Sequence, residues 1–248
     1  MSSREQKFKA GMALEPTIHY AAAFYLSIWL DSDQLFTQTL RYPQNLRDAD
    51  QFGETLKCLA AAATHYSVIR GFKIDPSEQR LEHLLLALEE RAQPGSDSEA
   101  ISEVCALVES LKSFYSRELV SASSKFLWFR FRSPIVIYDS FAYEGLRRSC
   151  LSFNKQGFNP NRHFFDHYTD WYREYAEEWR RQYLSMRAII CHACGELPAF
   201  KKFTPAFDIE DSALHELVEN EWFRERVFDS FLMLLGGLGL NGDGNRTK

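Results

Sequence analysis

Apolar residues recur along this chain at steps of three and four, the spacing of one face of an α-helix. The run Thr17 to Leu30 is apolar and helix-compatible, and Asp31-Ser32-Asp33 is expected to end it. A second helix is predicted over about Leu46 to Arg70, with Leu56, Leu59, Ala60 and Ala63 toward a core. Asp75 and Pro76 then read as the N-cap and first residue of a further helix. That helix carries the stripe Leu81, Leu84, Leu85 and Leu88. Gln93 to Ser98, rich in Pro, Gly and Ser, is the clearest linker, joining either two lobes (1–93 and 97–240) or simply two helices.

Beyond it a helix is predicted from about Glu99 to Leu119, with Val104, Leu107, Val108 and Leu111 on one face. A long helix, about His163 to His192, presents Phe164, Tyr168, Trp171, Tyr175, Trp179, Tyr183 and Met186. This aromatic stripe reads as core. The last helix, about Asp211 to Leu235, holds Leu214, Leu217, Val218, Trp222, Val227 and Phe231, and Gly236-Gly237 stops it. Residues 241–248 form a polar tail expected to fray. Ile135 to Tyr138 is a short β-branched run that reads as a connector. The pattern predicts an all-α fold of two lobes.

Composition sharpens this only in places. With 248 residues, 45% of them hydrophobic, the chain is long enough to bury a core without disulfides or metals. Five cysteines, an odd and scattered set, suggest reduced thiols and a cytoplasmic location. The polar start carries no expected signal peptide, and no apolar run approaches ~18 residues, so no membrane span is expected. A net charge of −5 gives no overall argument for nucleic acid. Between Lys125 and Arg148, however, Lys125, Arg130, Arg132, Arg147 and Arg148 oppose only Asp139 and Glu144.

That basic stretch carries the chemical hypothesis. LVSASSKFLWFRFRSPIVIYDSFAYEGL, residues 119–146, reads as a turn, a helix, a Pro-marked break, an extended connector and a second helix opened by Asp139. Lys125 lies near the start of the first helix. A helix N-terminus and burial both disfavour an ammonium, which suits a nucleophilic amine. A nearby carboxylate stabilises positive charge on a sugar carbon or activates a nucleophile. For each residue the plain alternative is a surface lysine and an ordinary N-cap aspartate.

These residues resemble the catalytic signature of helix–hairpin–helix DNA glycosylases, the superfamily of endonuclease III and the 8-oxoguanine glycosylases. That signature runs Leu-Pro-Gly-Val-Gly-x-Lys, then a helix, a Pro, and an Asp opening the next helix. Leu119 matches the Leu, Lys125 the catalytic Lys, Pro134 the Pro and Asp139 the catalytic Asp. Ser121 and Ser123 stand at the two hairpin glycines, and the Lys-to-Asp separation is shorter than the usual pattern by about one helical turn.

The resemblance implies a DNA N-glycosylase that flips out a damaged or modified base and leaves an abasic site. Strand cleavage follows if Lys125 itself attacks. It implies catalysis by Lys125 and Asp139, and contact with double-stranded DNA by Ser121, Ser123, Ser124, Arg130, Arg132, Arg147 and Arg148. A bacterial branch with this resemblance excises glucosylated hydroxymethylcytosine from phage DNA. No cofactor and no metal are implied, and the chain is expected to act as a monomer. Cys191-His192-Ala193-Cys194 lacks the second ligand pair of a structural zinc site. His163 and His167, with Asp166 and Asp170, read as a solvated helix face. The competing reading is a non-enzymatic helical interaction module of a bacterial defence system.

Overall fold

The computed structural model describes residues 17–41, 49–72, 81–152, 167–201 and 207–237, and every described element is helical or a connection between helices. The all-α reading holds. The chain divides into two compact units. Unit 1 comprises Met1–Asp31, Asp139–Pro160 and Glu177–Lys248, and unit 2 comprises Ser32–Tyr138 and Asn161–Ala176. The Gln93–Ser98 linker lies inside unit 2 and joins two of its helices, and among the described residues the chain changes unit after Asp31, Tyr138 and Ala176.

Helix α1 spans residues 17–28 and runs into a π-helical turn, Trp29–Asp33, before α2, Gln34–Arg41. The predicted stop at Asp31 to Asp33 is therefore a change of pitch. Two polar residues of that turn are used internally: Tyr66 donates to the buried Asp33 carboxylate, and Ser32 Oγ lies 3.3 Å from His65 Nε2. The buried Phe36 and Leu40 continue the apolar face beyond it.

Unit 2 also holds α3 (Ala49–His65), α4 (Glu82–Glu89), α5 (Asp97–Tyr115) and α6 (Val120–Phe131). The predicted Leu stripe of α4 and the Val/Leu stripe of α5 are buried, as their spacing requires. Ser96 caps α5 by accepting the Glu99 amide hydrogen at 3.2 Å, while Glu99 returns an acceptor to the Gly95 amide at 2.7 Å. Residues 73–80, with the predicted Asp75-Pro76 helix start, lie outside the described residues.

Unit 1 holds α1, α7 (Ser140–Ser152), α9 (Leu197–Lys201), α10 (Asp211–Glu219) and α11 (Glu221–Gly236), and α8 (Tyr168–Gly195) contributes residues to both units. The predicted single helix 211–235 is broken at Asn220, whose ψ of 130° is extended. Asn220 closes α10 through its side-chain amide to the Glu216 carbonyl at 2.8 Å, then offers its own carbonyl to Phe223 at 3.1 Å. Gly237, at φ +112°, terminates α11, a conformation that glycine adopts readily.

A buried polar chain crosses unit 1. Trp179 Nε1 donates to Asp229 at 2.7 Å, and Arg226 donates to the other Asp229 oxygen at 2.6 Å. The Arg226 guanidinium in turn lies over the Tyr25 ring at 5.2 Å. Burial pushes the Asp229 carboxyl up, against the pull of Arg226 and Trp179, and the charge of Asp139 adds to the rise.

Candidate active site

The turn expected at Leu119 to Ser123 does not form there, because Val120 to Ser123 are helical. Alpha-5 ends at Tyr115, Ser116 takes the left-handed conformation with its amide on the Lys112 carbonyl, and α6 begins at Val120. The turn is therefore Ser116–Leu119, and Ser121, Ser123 and Ser124 lie within the helix. With serine at both glycine positions, those residues are free to adopt helical backbone, and the Ser123 amide bonds the Leu119 carbonyl at 2.8 Å.

Helix side chains lean toward the N-terminus. Lys125 follows that rule and reaches back one turn, donating to Ser121 Oγ at 2.8 Å. Its ammonium also donates to the Tyr138 carbonyl at 3.4 Å and sits 5.8 Å from the Tyr66 ring centroid. Only 3% of Lys125 is exposed, which excludes the surface-lysine alternative. Tyr66 is itself anchored on Asp33. Among these neighbours Ser121, Tyr66 and the Tyr138 carbonyl are all polar or aromatic, a setting that suits a cationic or amine head group.

The connector Ile135–Tyr138 is held from two helices. From α6, Ser124 Oγ accepts the Tyr138 amide at 3.0 Å. From α8, Tyr172 donates to the Val136 carbonyl at 2.7 Å and Tyr175 to the Ile137 carbonyl at 3.0 Å. The Tyr138 ring packs edge-on against Trp171 and Tyr175, at 4.7 and 5.3 Å. Tyr175, a member of the aromatic stripe, is thus a core residue with a second task, and Tyr172, outside the predicted stripe, shares it. Periodicity carries no signal for the carbonyls they serve. The cis Ser133–Pro134 bond precedes the connector, and Ile135 closes that turn onto the Arg132 carbonyl at 3.0 Å.

The hydroxyls of Tyr172 and Tyr175 supply donors to backbone carbonyls that lie among buried residues. The double substitution Tyr172→Phe/Tyr175→Phe is expected to lower stability by about 2 kcal/mol, the cost of leaving buried acceptors short of donors. Urea unfolding followed by circular dichroism measures this, and an unchanged midpoint would show that the two bonds contribute nothing.

Asp139 opens the second segment of unit 1 and is the N-cap of α7. Its carboxylate accepts the Phe141 amide at 2.9 Å, and its carbonyl accepts that of Tyr143 at 2.8 Å. The N-cap alternative is therefore realised, and it leaves the chemical role open, since one carboxylate oxygen serves the cap.

The remaining sequence-selected residues are placed as follows. Ser123 is fully buried and its hydroxyl has no hydrogen-bond partner among the described residues. Ser124 is buried against the connector. Arg130 is ion-paired with Glu89 at 2.8 Å. Arg132, at φ +61°, terminates α6 with its amide on the Trp128 carbonyl. Arg147 and Arg148 both grip Glu144, at 2.7 and 2.9 Å, and Arg148 also donates to the Leu235 carbonyl at 2.7 Å. His167 and Asp170 stand on exposed or part-exposed positions, and His163 and Asp166 lie outside the described residues.

Hydrogen bonds from Arg147 above all, with Arg148 adding to them, hold the Glu144 carboxyl down at about 2. Its folded value lies below the ordinary 4.5, so the cluster contributes stability above that pH and loses it as pH falls toward 2. Because both arginines are well exposed, the contribution is expected to stay below about 1 kcal/mol. Acid unfolding of Glu144→Gln should show a flatter slope across that window; an identical slope would remove Glu144 from the acid limb.

No described helix is long and apolar enough to cross a membrane, and Cys58, Cys105, Cys191 and Cys194 are free thiols. No protein-family model matches this chain, and no curated protein or solved structure matches it either.

Proposed function

We propose that the chain is a DNA N-glycosylase acting on double-stranded DNA, with Lys125 and Asp139 as its catalytic residues. The observation that carries this reading is Lys125: a lysine with 3% exposure whose head group rests on a hydroxyl, a carbonyl and a ring. Burying a charged or potentially charged group is costly unless it is partnered, so such a lysine calls for a reason beyond solubility. The Tyr138 carbonyl that accepts from it belongs to the peptide leading directly into Asp139.

In this reading the target base is flipped out of the stack before its bond is broken. The C1′–N bond cleaves as the bonding pair leaves with the base, which takes up a proton. The Asp139 carboxylate stabilises the positive charge that grows on C1′. Lys125 Nζ bonds to C1′, loses its proton and opens the sugar to a Schiff base, which permits strand cleavage. If water attacks instead, Lys125 positions the sugar and the product is an intact abasic strand. The substrate class is a damaged or modified base, with glucosylated hydroxymethylcytosine of phage DNA as the leading example, and the chain acts as a monomer in the cytoplasm.

One observation favours the rival reading, a helical interaction module of a defence system. Arg130, Arg147 and Arg148, the arginines assigned to phosphates, are engaged by Glu89 and Glu144. Free-base release decides between the two. Purified protein is incubated with unmodified, damaged and glucosyl-hydroxymethylated DNA, and the supernatant is read by mass spectrometry. Release of one base supports the glycosylase; no release from any of them supports the module.

A further inference from the structure

A second cluster, unrelated to Lys125 and Asp139, lies in unit 1 where α8 ends. His192 is in the last turn of α8, and Glu196 follows one turn later, its amide still bonded to the His192 carbonyl at 3.2 Å. The four-residue spacing puts both side chains on one face. His19, from α1, meets them there. Its Nε2 is 2.8 Å from one Glu196 oxygen, and His192 Nε2 is 3.4 Å from the other. The two imidazoles stand edge to face with centroids 5.9 Å apart. One donor atom from each of the three residues lies within 4.8 Å of the others.

We propose that His19, His192 and Glu196 bind one Zn²⁺ ion. Two imidazole nitrogens and one carboxylate oxygen form a borderline donor set, matched to zinc, whose bonds to both atom types are ~2.0–2.2 Å. Calcium and magnesium favour shells of oxygen ligands, so the two imidazole nitrogens select against them. Ligand atoms around a tetrahedral zinc stand ~3.4 Å apart, as those bond lengths require. The three donor atoms lie within 4.8 Å of one another, close to that separation. The side chains of His19, His192 and Glu196 are 33%, 66% and 53% exposed, so the ion has access and a water completes the fourth position.

The site ties α1 to the end of α8 across the 172 residues of chain between His19 and His192. Cys194 is buried, and the three donor atoms that converge come from His19, His192 and Glu196. The Cys191-His192-Ala193-Cys194 motif lacks a second ligand pair nearby in the sequence. Its partner histidine comes from the other end of the chain.

The test uses the full chain stripped with a chelator, titrated with ZnCl₂ by calorimetry, and loaded in parallel with Co²⁺ for visible absorption. The expected result is one equivalent of Zn²⁺, a melting temperature raised by excess zinc, and Co²⁺ bands without a thiolate charge-transfer band. His192→Ala and Glu196→Gln, at exposed positions, should each weaken binding at least tenfold while melting like the zinc-free wild type. Cys191→Ser should bind as the wild type does. Absence of binding, equal affinity in His192→Ala and Glu196→Gln, or loss in Cys191→Ser would each overturn the site.

Discussion

Asp139→Asn is expected to slow base release by roughly 10²–10⁴-fold, or about 3–5 kcal/mol of transition-state stabilisation. The substitution is informative because asparagine caps a helix as well as aspartate does. The bond from the Phe141 amide is retained, α7 keeps its start, and only the negative charge is removed. Lys125→Gln complements it. An amide can still donate to Ser121 and to the Tyr138 carbonyl, so the fold has its hydrogen bonds, but no nucleophilic amine remains. If Lys125 attacks C1′, borohydride traps a covalent protein–DNA adduct with the wild type and none with Lys125→Gln. Base release without any trapped adduct would assign the attack to water. Unchanged release in Asp139→Asn, with circular dichroism identical to the wild type, would end the catalytic assignment of that residue.

Gly145→Ala is expected to destabilise the protein by about 3 kcal/mol, the upper end of the usual overpacking cost. Helices α7 and α11 approach so closely that a methyl group at Gly145 would stand 1.9 Å from the Leu232 carbonyl oxygen. The contact is reciprocal, since a methyl group at Gly236 would stand 1.9 Å from the Phe141 carbonyl oxygen. Both obstacles are backbone, so no side-chain rotation relieves them. The two helices must separate, and α7 is the helix that Asp139 opens. The melting temperature should fall by roughly 6–12 °C, as expected for a chain of this size. Gly53→Ala is the control: nothing lies within 4 Å of the added methyl, and the position is inside α3. There alanine should stabilise slightly, by up to about 1 kcal/mol. Equal melting temperatures for Gly145→Ala and the wild type would show that α7 and α11 tolerate separation.

The legibility of this protein differs from element to element. Leu81, Leu84, Leu85 and Leu88 declare a helix and its buried face, because helical periodicity depends on neighbours three and four residues away. Gly237 as a stop and Asp139 as the start of α7 are legible for the same local reason. The π-helical turn was not. Asp31, Ser32 and Asp33 look like a terminus, and the buried Ser32 and Asp33 meet His65 and Tyr66, more than thirty residues on, inside the fold. The expected turn at Ser121 to Ser123 is helix instead, because serine stands at both glycine positions and does not demand a turn.

The sequence alone determined the helical class, most helix faces, and Lys125 and Asp139 as the residues to ask about. It also determined that Lys125 precedes a Pro-marked break and Asp139 follows it. Tertiary structure decided that Lys125 is buried with Ser121, Tyr66 and the Tyr138 carbonyl, and that Tyr172 and Tyr175 hold the connector. It also paired Gly145 with the backbone of α11, divided the chain after Asp31, Tyr138 and Ala176, and joined His19 to His192 and Glu196. Each of these depends on which helices pack together, and side-chain spacing within one helix carries no information about its partner across the core. Local physics writes the helices, and the packing of distant segments assembles the groups that do chemistry.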